Sequence, residues 1–250
     1  MSFTDRFTNH AGAYAAGRPS YPPASIDAIL AGFGDPSNLA VADLGAGTGI
    51  SSRLFADRGA HVFAIEPNAA MRSAAEPDAR IEWVDGTAES TTLADRSVDI
   101  VGAFQAWHWF DPTVATAEAR RIVRPGGILA VVYNERDERD YFTLGYGDVV
   151  RRYSTDATEQ RRAKALAHAL GIDPAKTKRE HFPNEQTLDR AALHERATSS
   201  SYLPRSGEAA KRMHAALDDL FGKFAVREAV VMHLVTIVVR VELSNDEQSR

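Results

Sequence analysis

The chain contains no cysteine. That excludes a disulfide framework, a thiolate zinc site and a cysteine nucleophile. Its eight histidines are scattered, with no His-x3-His or His-Glu-x2-His arrangement, so no metal centre is expected. Long apolar runs are scarce. The longest, Ala229 to Val239, includes His233 and Thr236 and falls well short of the ~20 residues of a membrane span. No apolar run follows Met1 to Arg6, so a leader is not expected and a cytoplasmic protein is. Excess positive charge is missing too. The formal net charge is −5, which argues against a nucleic-acid-binding surface. The local basic clusters, Arg120, Arg121 and Arg124, and Arg161, Arg162 and Lys164, read as solvated helix faces.

What is present suits a globular enzyme. At 250 residues and 44% hydrophobic content, one medium domain with a substantial core is expected. Apolar runs at Leu39–Leu44, Ala60–Ile65, Arg80–Val84, Ser97–Phe104 and Ile128–Tyr133 read as strands, with helical stretches between them. This alternation predicts an α/β fold: a Rossmann-like, doubly wound sheet, mostly parallel and covered by helices on both faces. The Ala229–Val241 run reads as an antiparallel C-terminal strand. Residues 1–34 read as an N-terminal flap and helices, and 38–134 as the cofactor-binding core. Residues 140–225 read as a helical lid insertion of lid and substrate-side helices, with Arg179-Glu180-His181-Phe182 a candidate short strand, and 226–243 as the terminal strand, all within a single domain of residues 1–250.

Ligands of such sheets bind beyond the carboxyl ends of the strands. Asp43, Glu66, Asp85 and the Gln105–Asp111 stretch all fall there. The first of these ends carries Asp43-Leu44-Gly45-Ala46-Gly47-Thr48-Gly49, a glycine turn leading into a helix. Glycines allow a ligand to approach the backbone where a Cβ would clash, and the helix directs N–H groups at the turn. A dinucleotide fingerprint needs G-x-G-x-x-G, with an acid about 20 residues on. Glu66 supplies the acid, but Ile50 stands where the third glycine belongs. A nicotinamide oxidoreductase is therefore the weaker alternative.

The residues from 43 to 49 resemble motif I of class I S-adenosylmethionine-dependent methyltransferases. Glu66 is similar to that family's strand-two acid, and Asp85-Gly86-Thr87-Ala88-Glu89 to its adenine loop. Val123-Arg124-Pro125-Gly126-Gly127 resembles its segment before strand five. The opening stretch through Tyr14, Arg18 and Tyr21, and Gln105-Ala106-Trp107-His108-Trp109-Phe110-Asp111, resemble the small-molecule type 11 and trans-aconitate-like branch. The motifs cover about residues 7 to 133.

The resemblance implies S-adenosylmethionine as cofactor, S-adenosylhomocysteine as product, and no metal. Gly45, Ala46 and Gly47 would border the methionine moiety, Asp43 its ammonium and Arg18 its carboxylate, with Tyr14 in the closing flap. Glu66 would hold the ribose hydroxyls, beside Pro67. Met71 would pack on the adenine, with Asp85, Gly86, Thr87 and Ala88 around its edge. Gln105 would line the same pocket. His108 is the candidate base; the other reading packs it between Trp107 and Trp109. Tyr21, Trp109, Tyr141, Tyr146 and Tyr202 are candidates for an aromatic substrate wall. A small-molecule substrate is expected, without nucleic acid or membrane partners, in a monomer or homodimer. A catalytically silent cofactor-binding module is the second alternative.

Overall fold

The computed structural model describes residues 18–155, 157–200 and 202–243. Among them the chain runs α1 (Pro23–Leu30), β1 (Ala40–Leu44), α2 (Ile50–Ala56), β2 (His61–Ile65), α3 (Ala69–Ser73), β3 (Ile81–Val84) and β4 (Val98–Phe104). It continues through α4 (Pro112–Ile122), β5 (Val123–Arg136), α5 (Tyr141–Tyr153), α6 (Thr158–Gly171), β6 (Thr177–Leu188), α7 (Arg190–Thr198), α8 (Gly207–Phe224) and β7 (Val230–Glu242).

One seven-stranded sheet has the order β3-β2-β1-β4-β5-β7-β6. β1 to β5 are parallel, and β7 is antiparallel to both β5 and β6. This is the doubly wound, Rossmann-like sheet expected from the pattern. The order reverses between β1 and β4, and a crevice opens at their carboxyl ends.

Alternation along each strand divides the core into two layers. From β5, Leu129, Val131 and Tyr133 join Ala115, Ala119 and Ile122 of α4 and Ala165 and Ala169 of α6. The intervening Ile128, Ala130 and Val132 join Ile26, Ile29 and Leu30 of α1 and Phe55 of α2. Both faces are covered, which is why these strands are apolar at consecutive positions.

A third cluster lies under the later helices. Phe142, Tyr146 and Val150 recur every fourth residue on α5, as do Met213, Leu217 and Phe221 on α8. That spacing puts each trio on one helix face. They pack on Leu193 and Ala197 of α7 and on Val230, Met232 and Leu234, the first part of β7.

Two details differ from the sequence reading. The short strand considered at residues 179–182 is part of a twelve-residue strand, β6, which pairs along its length with β7. The sheet thus has two antiparallel pairings, both made by β7, which runs opposite to the other six strands as expected of the terminal run. β5 also begins earlier than expected: Val123 pairs with Val98, and the register shifts before Ile128. No helix among the described residues is long and apolar enough to cross a membrane.

Candidate functional site

The glycine turn connects β1 to α2. Gly45 lies at φ +68° and Gly49, the residue before the helix, at φ +82°. A Cβ on Gly45 would sit 2.9 Å from the Ala106 Cβ and 3.1 Å from the Phe110 ring. The turn is tied to the end of β2. Gly45 and Ala46 both donate backbone N–H bonds to the Ile65 carbonyl, at 2.9 and 3.1 Å. Gly47 donates its N–H to Glu66 Oε2 at 3.0 Å.

Glu66 is the hinge of this arrangement. Its other oxygen, Oε1, accepts the Asn68 N–H at 2.9 Å. Burial pushes its carboxyl up, against the downward pull of those two N–H donors and of Arg72. Asn68 in turn caps α3, accepting the N–H groups of Ala70 and Met71. That cap places Met71 beside Glu66.

A cavity of about 280 Å³ lies in the crevice. Of the residues singled out in the sequence, Gly45, Gly47, Glu66, Pro67, Met71, Thr87, Ala88, Gln105 and Trp109 line it. A recess of about 40 Å³ beside the glycine turn is bordered by Arg18, Tyr21 and Ala46. Tyr21 packs edge-on against Phe104 with ring centres 4.9 Å apart. A second recess of about 40 Å³ takes Tyr146 and Tyr202. Arg18 and Gln105 border both recesses. Gln105 adopts φ +54°, which is strained for a side-chain-bearing residue and common at functional sites. Its N–H bonds to the Val132 carbonyl at 2.8 Å, and its amide Nε2 to the Asn134 carbonyl at 3.1 Å.

The other candidates lie outside these linings. Asp43 is fully buried, and its Oδ2 accepts hydroxyl bonds from Ser51 and Ser52, both at 2.6 Å. It therefore anchors α2 to β1, while its Oδ1 is buried without a partner. Burial raises its pKa to about 6, against those hydroxyl bonds, with a smaller upward push from Glu66. Asp85 is exposed and paired with Arg72 at 3.0 Å. Gly86 sits tightly under the loop, where a Cβ would approach the carbonyls of Ser90 and Thr91 to 3.1 Å.

His108 packs against Trp109, with ring centres 4.6 Å apart. Its Nδ1 lies 3.3 Å from the Tyr133 hydroxyl, which also accepts the His108 backbone N–H at 3.0 Å. Burial pushes the Tyr133 hydroxyl well above the usual phenol range. Tyr141 does not belong to an aromatic wall. It is 78% exposed at the start of α5, while the buried face of that helix carries Phe142 and Tyr146. Tyr14 lies outside the described residues.

The structure adds residues given no individual role above, Glu89 and Phe110 among them from within the quoted motifs. Asn68, Glu89, Phe104 and Phe110 line the main cavity. Arg136, Arg162 and Arg196 line the second recess. The cluster at 161–164 is thus not wholly a solvated face. The Arg162 side chain is only 14% exposed, and Arg161 lies over the Trp109 ring, 5.1 Å from its centre. The earlier cluster is charge-balanced: Arg121 pairs with Glu118 and Asp95, and Arg124 with Asp99.

Comparison with known proteins agrees with this geometry. The family model described as "Methyltransferase domain" matches residues 42–131, from β1 into β5. An uncharacterised methyltransferase of Mycobacterium tuberculosis is 43% identical over 149 residues, which is 58% of this chain and 59% of that protein. The match thus spans less than two thirds of the relative's length. A provisionally assigned type II methyltransferase from Anaeromyxobacter dehalogenans shares the fold at a TM-score of 0.65 and 24% identity, over 91% of this chain and 98% of its own. The phosphoethanolamine N-methyltransferase 2 of Haemonchus contortus, solved with S-adenosylhomocysteine, aligns at a TM-score of 0.52 and 18% identity, over 97% of this chain and 60% of its own. By its matched domain, its sheet order and the glycine turn facing Glu66, the chain is similar to methyltransferases over residues 42–131 and shares their fold.

Proposed function

We propose that the protein transfers a methyl group from S-adenosylmethionine to a small-molecule acceptor. The observation that carries this reading is Glu66, a carboxylate on the cavity wall, held by one backbone N–H from each of two turns. Each oxygen keeps acceptor capacity for a ligand hydroxyl, which suits the two hydroxyls of a ribose.

The residues present fit the cofactor. Gly45 and Gly47 leave backbone bare where a methionine chain would lie. Arg18 borders the same recess and would hold a carboxylate. The orphaned Oδ1 of Asp43 suits an ammonium reached through water. Met71 and Pro67 offer apolar surface to an adenine, and Thr87 and Ala88 lie along the same wall. Asp85, turned to solvent and to Arg72, contributes less than the resemblance implies.

When bound, this cofactor supplies an activated methyl on a sulfonium centre. The protein's part is alignment and exclusion of water, and correct alignment of reactants is worth roughly 7–11 kcal/mol. Gln105, held by two backbone contacts, stands between the cofactor cavity and the recesses. It therefore fixes where an acceptor atom would meet the methyl. Trp109 closes the same wall.

We infer that His108 is a positioning residue. The Tyr133 hydroxyl accepts the His108 backbone N–H at 3.0 Å and lies 3.3 Å from its Nδ1, so that nitrogen faces the protein's own hydroxyl. The pair fixes the loop that carries Gln105 and Trp109.

A radiolabelled-methyl screen against carboxylic acids, phenols and amines tests this function. Incorporation into one class supports it. Binding of S-adenosylhomocysteine with no transfer to any class would favour the silent module. The enclosed recesses suit a small molecule better than a nucleic acid or a membrane surface.

A further inference from the structure

The second recess is unusual in its charge. Four arginines border it: Arg18 before α1, Arg136 at the end of β5, Arg162 on α6 and Arg196 on α7. Two are paired with carboxylates, Arg162 with Glu135 at 2.7 Å and Arg136 with Glu138 at 3.3 Å. Arg196 has none among the described residues. It donates to the Gln186 side-chain oxygen and lies over the Tyr146 ring, 5.9 Å from its centre. The Nε groups of both Arg162 and Arg196 are buried without a hydrogen-bond partner.

Such an arrangement is costly unless something balances it. A buried cation without a counter-charge loses its hydration and regains little. Burial, with Arg18 and Arg136 adding to it, pushes the Arg196 guanidinium down. The unmet N–H donors and the clustered positive charge therefore describe a seat for an anion.

Resting on the methyl-transfer reading, we propose that this recess holds a carboxylate group of the acceptor, anchored by Arg196 and Arg162. The recess is small, about 40 Å³, and suits a single anionic group. The flat guanidinium also pairs with a carboxylate through two parallel bonds. The cofactor's own carboxylate is a separate matter, because the recess at the glycine turn includes neither Arg162 nor Arg196. Gln105 borders both the recess and the main cavity, so an acid anchored by one end presents the rest of itself at Gln105. The acceptors are then organic acids, held at a distance from the reacting atom.

Calorimetry on protein saturated with S-adenosylhomocysteine tests this. The probes are succinate, citrate and benzoate, against succinamide, benzamide and inorganic phosphate. At least one acid is expected to bind more tightly than the amides and phosphate. Arg196→Gln is expected to weaken that acid at least tenfold, and Arg196→Lys less, with S-adenosylhomocysteine affinity within twofold of wild type. Retained cofactor affinity also shows that Arg196→Gln is folded. Acids binding no better than amides, phosphate binding tighter than the acids, or full acid affinity in Arg196→Gln would each overturn the proposal. Wild-type protein that fails to bind S-adenosylhomocysteine would instead strike at the methyl-transfer reading itself.

Discussion

Replacing Asp43 by Asn is expected to change how stability depends on pH. Asp43 is fully buried, with two serine hydroxyls on one oxygen and none on the other. Its pKa is raised from 3.8 to about 6 by burial. The folded protein therefore binds this proton more tightly than the unfolded chain does. That stabilising contribution is fully present below the unfolded value, near 4, and is lost as pH rises through about 6. Above that range the charged carboxylate costs roughly 3 kcal/mol relative to its neutral form. Asn removes this cost. It also leaves an amide group where Oδ1 lacked a partner, at about 1–3 kcal/mol at any pH. At pH 8 the variant is thus expected to equal or exceed wild type by up to ~2 kcal/mol. At pH 4 it is expected to be the less stable protein. Urea midpoints and slopes for both proteins across this range give the difference directly. The difference should swing by roughly 3 kcal/mol between the two ends. A constant difference would refute the reasoning, since it would mean that Asp43 titrates alike folded and unfolded.

Gly45→Ala forces a side chain into φ +68° and drives a Cβ against Ala106 and Phe110. The backbone term is about 1–2 kcal/mol and the crowding about 1–3, so a loss of roughly 2–5 kcal/mol is expected on denaturation; a loss below about 1 would contradict the close approach. His108→Ala is expected to lower turnover without removing any limb of the pH–rate profile, because its Nδ1 is engaged by Tyr133. Disappearance of a limb near pH 6–7 would restore a base role. Tyr141→Ala is expected to leave methyl transfer within twofold of wild type, since that side chain is solvent-exposed; a larger loss would return Tyr141 to the substrate side.

The parts of this molecule that could be read from sequence are those written in consecutive residues. The apolar strands, the glycine turn and the acid ending β2 each carry their signal within a few positions, and the sheet brings them together by its topology. The full extent of β6 was hidden beyond residues 179–182 because Thr177-Lys178-Arg179-Glu180-His181-Phe182-Pro183-Asn184 is polar and contains a proline. Only its pairing with β7 at the sheet edge makes it a strand, and an edge is where proline and charge are tolerated. The arginine recess was illegible for another reason. Its four guanidiniums come from positions 18, 136, 162 and 196, on four separate segments. Arg162 sat in a basic run that looked solvated, and only the packing of α6 turns it inward. Asp43 was visible as an acid before the turn, but its bonds to Ser51 and Ser52 depend on where α2 begins.

The central claim is that Glu66 and the glycine turn seat S-adenosylmethionine. Calorimetric titration of wild type and Glu66→Ala with S-adenosylhomocysteine, and of wild type with NAD, tests it most directly. The account predicts binding of S-adenosylhomocysteine by wild type, at least tenfold weaker binding by the variant (about 1.4 kcal/mol), and no heat with NAD. NAD binding without a response to S-adenosylhomocysteine, or equal affinity in Glu66→Ala, would contradict it.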